Sequence, residues 1–292
     1  MKRTGGKWDP SDTGVYFIAS SVDTIETTID STESILIAVN ELEDDDMPVL
    51  EDAIARGKRL FIDSGIFWLT NSYARANGIS MVDALAMAPS EFPDFPKLLE
   101  KYRRLIDRIG ERSWGYIEMD QGGLVNKRKT RAMLEDMGLR PIPVYHPLVD
   151  GWDYFDELAE QYDRICFANL VQADKATRLR LMATCYERRR KYPHLWIHLL
   201  GVTPNELFNA IAPQSSDSST WLASVRWPTG HAVQSSLKRF GYLSNRFTYL
   251  QGADKHGPNG HRKDWQLCAY DAHMIESNWR QIESDHIFSR VK

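Results

Sequence analysis

Cysteine is scarce in this chain: three in 292 residues, Cys166, Cys185 and Cys268, odd in number and far apart. That excludes a disulfide framework and a zinc site of the CxxC type. Long apolar runs are missing as well. No stretch approaches the roughly 20 apolar residues that a membrane-spanning helix needs. The basic start around Lys2, Arg3 and Lys7 is followed by no apolar segment of the kind a secretory leader carries. The expectation is a cytoplasmic protein without membrane contact. Neither sign of charge dominates, since 36 Lys and Arg against 40 Asp and Glu leave a net charge of −4. The molecule as a whole therefore has no attraction for a polyanion.

What the chain does have is core material. It is 42% hydrophobic with nine Trp, enough for one large domain. Basic residues do cluster locally, at Lys127, Arg128 and Lys129 with Arg131, along residues 188–191, and at His261, Arg262 and Lys263. A phosphate track needs positive potential along one groove only, so the first cluster is a candidate nucleic-acid contact. The plainer reading is a solvated helix face.

Short β-rich runs recur at residues 15–19, 35–39, 60–63, 115–120, 141–146, 164–168 and 195–200, with a weaker one entering Asp217. Between them lie stretches with helical periodicity, including 97–109, 127–137, 152–162, 175–191 and 205–211. Eight such alternations predict an α/β fold, a (β/α)8 TIM barrel over residues 1–225. Thr203-Pro204 reads as a helix start, and Gly138 after Met137 as a helix end. From about residue 226 Gly, His, Ser and Asn thicken and residues 264–287 turn helical, so 226–292 reads as a C-terminal helical extension packed on the barrel.

In such a barrel the chemistry sits at the C-terminal ends of the strands. Asp63, Asp120, His146, Asn169 and Asp217 all fall there. An aspartate at a strand end can merely cap the next helix. Three of them converging on one cleft raise each other's pKa, which makes them candidates for proton transfer, ligand binding or attack on carbon.

Asp63-Ser64-Gly65-Ile66-Phe67 resembles the DSGGF/Y motif of the tRNA-guanine transglycosylase superfamily. Leu199-Leu200-Gly201-Val202-Thr203-Pro204, followed at a distance by Asp217, resembles that family's LMGVGTP segment and its nucleophilic aspartate. Met119-Asp120, Val144-Tyr145-His146 and Phe167-Ala168-Asn169 fall where the family has FDE, VQGG and VGE. The likeness spans about residues 30–225 and rests on short motifs in one order. There are departures: the zinc-binding CxCxxC…H segment is missing, Ile66 replaces a Gly, and His146 or Tyr145 stands for the Gln of VQGG. These departures resemble the shorter, phage-type paralogues that insert 7-deazaguanine into DNA.

The resemblance implies a nucleophile, Asp217, that forms a glycosyl ester, and an acid/base group, Asp63. It implies that Asp120 accepts hydrogen bonds from a guanine edge while Asn169 and His146 read the carbonyl side. Phe67 would stack on the base and Leu200 would close the other face, with Ser64, Gly65 and Gly201 letting the backbone approach. The implied partners are DNA, with the target nucleotide flipped out of its helix, and a free 7-deazaguanine base. Trp68, Trp221 and Trp227 are candidates to fill the vacated stack. No cofactor is required, although His256, His261, Cys268 and His273 form a possible zinc set in the tail. The alternatives are a tRNA substrate, a barrel hydrolase that uses water with the same carboxylates, or a non-catalytic nucleic-acid-binding paralogue.

Overall fold

A computed structural model describes residues 1–19, 22–203, 214–222, 269, 271–277 and 279–280. Strand and helix alternate through it: β1 (Gly14–Ala19), α1 (Val22–Ser31), β2 (Ser34–Ala38), α2 (Met47–Ala55), β3 (Arg59–Asp63), α3 (Ile66–Asn77), α4 (Met81–Ala86), α5 (Phe95–Ile109), β4 (Gly115–Tyr116), α6 (Gly123–Asp136), β5 (Val144–Tyr145), α7 (Trp152–Gln161), β6 (Arg164–Phe167), α8 (Lys175–Arg189), β7 (Trp196–Leu199) and β8 (Ser215–Ser218). The helix expected over 205–211 lies outside the described residues. No described helix is long and apolar enough to cross a membrane.

All eight strands run parallel in one sheet, in the order β4-β3-β2-β1-β8-β7-β6-β5. The sheet is strongly curled. Phe61 on β3 and His198 on β7 are four strands apart in that order, about 19 Å in a flat sheet, yet their rings lie 4.8 Å apart, edge to face. Only facing inner surfaces allow that contact. Side chains alternate accordingly: Tyr16, Leu36, Phe61 and Trp196 pack together on the concave side. Val15, Phe17, Ile35, Ile37, Leu60 and Ile62 face outward onto helices.

The edge strands β4 and β5 are linked by a single parallel bridge, Ile117 to Ile142. The strands expected over 115–120 and 141–146 are consequently much shorter than the β-rich runs suggested. Two things interrupt the ladder. Pro141 and Pro143 carry no N–H, and the N–H of Val144 donates instead to the Glu118 carboxylate at 2.7 Å. The chain therefore leaves the ladder before Asp120, which sits in a loop.

The tail adds to the outer core. Its described residues are helical, and Ala272, Ile275 and Trp279 join the apolar cluster of Val15, Phe17 and Leu158. At the opposite end of the sheet from the aspartates, the first residues of the chain form a plug. Arg164 lies 4.8 Å from the ring centroids of both Trp8 and Trp114, and donates to Thr4 Oγ1 (2.7 Å) and to the carbonyl of Trp114 (2.6 Å). Position 6 requires glycine, because its φ is 97° and a Cβ would strike the Trp114 carbonyl 2.8 Å away.

Candidate active site

Asp63, Asp120 and Asp217 lie near the C-terminal mouth of the curled sheet. The Cys166 thiol in its floor is pushed well up by burial, then by the charges of Asp217, Asp120 and Asp63. All three carboxylates thus act on one buried point. Strand register explains part of this: Asp63 ends β3 opposite Ala38, and Asp217 lies on β8 opposite Tyr16.

Asp63 is partly buried, and its carboxyl is pushed up to about 7. Burial is the main cause, opposed by the Gly65 N–H and reinforced by the charges of Asp120, Asp217 and Glu41. The Gly65 N–H donates to Asp63 Oδ1 at 3.2 Å. Gly65 has φ 75° and a Cβ there would overlap Asn40 Oδ1, so the turn from β3 into α3 requires glycine. Ser64 is fully buried with an Oγ that makes no hydrogen bond among the described residues. Phe67, in the first turn of α3, is 54% exposed, and its neighbour Trp68 is 52% exposed.

Asp120 has an occupied oxygen. Its Oδ2 lies 2.7 Å from His146 Nε2. Burial alone raises its carboxyl, but the hydrogen bond and charge of His146, with the charge of Lys127, hold it below the usual carboxylate range. His146 is therefore turned to Asp120, the neighbouring carboxylate. The loop carrying Asp120 is tied down by Gln121, which accepts from Thr70 (2.6 Å) and donates to the carbonyls of Ala84 (2.7 Å) and Met87 (3.0 Å).

β8 reads Ser215-Ser216-Asp217-Ser218, and all four residues are buried. Burial of so polar a strand calls for hydrogen bonds, and three of the four side chains have them, while the Ser216 hydroxyl finds no partner among the described residues. Ser215 Oγ contacts Trp196 Nε1 and His198 Nδ1, both at 2.9 Å. Asp217 Oδ1 accepts from the Gly201 N–H at 2.8 Å and lies 3.2 Å from His198 Nε2. No described residue bonds Oδ2 of Asp217. The N–H of Gly201 thus serves the Asp217 carboxylate. Thr203 Oγ1 bonds Ser218 and Thr220 at 2.8 Å each, and the helix it was expected to start lies outside the described residues.

Leu200 packs partly buried against the inner cluster. Asn169 has φ 59°, the one positive value among the described non-glycine residues. Asn tolerates that conformation, and strain of this kind gathers at functional sites. Trp221 is fully buried with Nε1 on the Ile18 carbonyl at 3.0 Å, so it does not fill a base stack. Trp227 lies outside the described residues.

The basic cluster on α6 is not one surface. Lys127 is completely buried in an ion pair with Asp150. Arg131 is buried against Glu118, 2.8 Å from Nη2 to Oε1, and against the Tyr154 hydroxyl at 2.7 Å. Arg128 pairs with Glu157, and Lys129 is exposed. The expected four-residue phosphate track is reduced to Arg128 and Lys129. The reason is helical spacing, since 127, 130, 131 and 134 form the face of α6 that packs inward.

His198 escaped the sequence reading. A signal was available, because it shares inward parity with Trp196 and Leu200 in the β7 run. His256, His261 and Cys268 lie outside the described residues, among which no three metal-ligating side chains gather. A cavity of about 320 Å³ lined by Val39, Leu42, Lys101 and Arg104 lies beside α5 and includes none of the three aspartates. No family model matches the chain, and no curated protein matches it.

Proposed function

We propose that the chain is a (β/α)8-barrel pentosyltransferase with its seam between β4 and β5, a C-terminal helical extension and a site at the strands' C-terminal ends. Within that class we assign it to guanine transglycosylation: exchange of guanine in DNA for a free 7-deazaguanine base, such as 7-cyano-7-deazaguanine. One observation carries the reading. Two carboxylates at the same mouth are held for different tasks, Asp63 near neutrality and Asp217 anchored through one oxygen while no described residue bonds the other.

In the first half-reaction Oδ2 of Asp217 forms a bond to the anomeric carbon as the bond to guanine breaks, and the electron pair leaves on the base. Asp63 gives that base a proton. In the second, the incoming base returns a proton to Asp63 and displaces the aspartyl ester. A group near pH 7 suits both directions. Asp120 offers the guanine edge one oxygen, because His146 holds the other. Phe67 supplies an exposed ring for stacking beside Asp63.

The test is incubation of the protein with guanine-containing duplex DNA, and in parallel with tRNA, plus 7-cyano-7-deazaguanine, followed by nucleoside mass analysis. The expected result is the modified nucleoside in DNA, lost in Asp217→Asn. Incorporation into tRNA alone would overturn the DNA assignment. Release of guanine without incorporation would assign the carboxylates to hydrolysis.

A further inference from the structure

We propose that His198 is a positioning residue for Asp217, held as the Nε2-protonated tautomer by a relay that begins at Trp196. The inference rests on the reading of Asp217 as the nucleophile, and deepens it. Trp196 Nε1 can only donate, so Ser215 Oγ accepts its proton at 2.9 Å. The hydroxyl then has one proton to give. Its one other partner among the described residues is His198 Nδ1, also at 2.9 Å. With Nδ1 accepting, the ring proton belongs on Nε2, which faces Asp217 Oδ1 at 3.2 Å.

The ring has no freedom to turn away. It is buried, with edge contacts to Phe61 at 4.8 Å and Tyr16 at 5.5 Å between centroids. Oδ1 of Asp217 therefore receives two donors, the N–H of Gly201 and Nε2–H of His198. That fixes the carboxylate plane and leaves Oδ2 as the attacking atom. When Oδ2 bonds to the anomeric carbon, Oδ1 becomes the ester carbonyl oxygen inside a two-donor cradle. The same donors stabilise the charge that returns to Oδ1 as the ester is displaced. No proton is transferred by His198 in either half-reaction.

Two measurements on the full-length protein test this. Nitrogen-15 NMR of the histidine rings, with the His198 signals assigned by their loss in His198→Gln, should show a neutral ring protonated at Nε2. Trp196→Phe should let the Nδ1-protonated form appear. An Nδ1-protonated or doubly protonated ring in the unaltered protein would overturn the relay. The second measurement is the rate of forming a denaturant-stable protein–nucleic acid adduct. His198→Gln keeps an N–H near the Nε2 position and should stay near the parent rate. His198→Asn keeps only the Ser215 side and should fall about 100-fold, as for loss of one oxyanion donor. Equal rates for the two would overturn the positioning role. Absence of any adduct in the parent protein would sink the nucleophile assignment, while the NMR measurement still decides the tautomer.

Discussion

His146 and Asp120 face each other across the seam between the edge strands, with Nε2 of one 2.7 Å from Oδ2 of the other. The pair leaves Asp120 a single oxygen for a ligand. Both side chains are mostly buried, so separating them strands a carboxylate in a poorly solvated place. His146→Ala should therefore cost about 2–4 kcal/mol in urea unfolding at pH 7. Asp120→Asn, which keeps an acceptor for His146, should cost much less stability but weaken binding of a guanine-type base at least about tenfold through a misplaced donor. Unchanged base affinity would remove Asp120 from the recognition edge.

Asp63 makes stability and function pull apart. Its folded carboxyl is raised to about 7, above the unfolded value of about 3.9. Below the unfolded value both states hold the proton and there is no penalty. As pH rises from there towards 7 the unfolded state ionises first, and stability is lost. Asp63→Asn removes that penalty, so the variant should gain on the order of 2–4 kcal/mol over the parent at pH 8, discounted for partial solvent access. The gain should vanish near pH 4. A denaturation midpoint difference that does not vary between those pH values would contradict the raised carboxyl.

Lys127 and Lys129 are two residues apart on α6 and should behave as opposites. Lys127→Ala leaves Asp150 buried without its cation, and should destabilise by about 3–5 kcal/mol. Lys129→Ala should change stability by less than about 0.5 kcal/mol. If a polynucleotide crosses this helix, Lys129→Ala lowers the salt slope of binding by about 1. Paired urea and salt titrations separate the two roles.

Gly65 and Gly57 share a left-handed backbone, with φ of 75° and 77°. Around Gly57 nothing lies within 4 Å of an added Cβ, whereas at Gly65 it meets Asn40. Gly57→Ala should carry the backbone strain alone, about 1 kcal/mol. Gly65→Ala should cost clearly more and disturb the N–H that bonds Asp63. Equal losses would show that the Asn40 contact relaxes freely.

Much of the architecture was legible because apolar β-rich runs such as 15–19 and 60–63 alternate with stretches of helical period, the order a parallel sheet covered by helices requires. Asp63 was legible for the same reason, standing at the end of such a run. β8 was barely visible: its four polar residues are buried, and the side-chain hydrogen bonds of Ser215, Asp217 and Ser218 are not something periodicity registers. The α6 cluster misled because adjacency in sequence is not adjacency on a helix. Lys127 and Arg131 lie four residues apart with Leu134, on the buried face. The pairing of His146 with Asp120 was not legible, because it depends on where two loops end, and no local pattern contains that.

Residues far apart in the chain meet at both ends of the sheet: in the plug Thr4 bonds Asp163 across 159 positions, and beyond β8 the Trp221 indole donates to the Ile18 carbonyl across 203. Contacts of such long range are formed late and slowly. On a ribosome, β1 can pair with β2 early, but its other edge must wait for β8 and the plug must wait for β6. The edge of β1 that receives β8 is therefore open through most of synthesis. The molecule's main hazard lies in that interval, before the first and last strands have met.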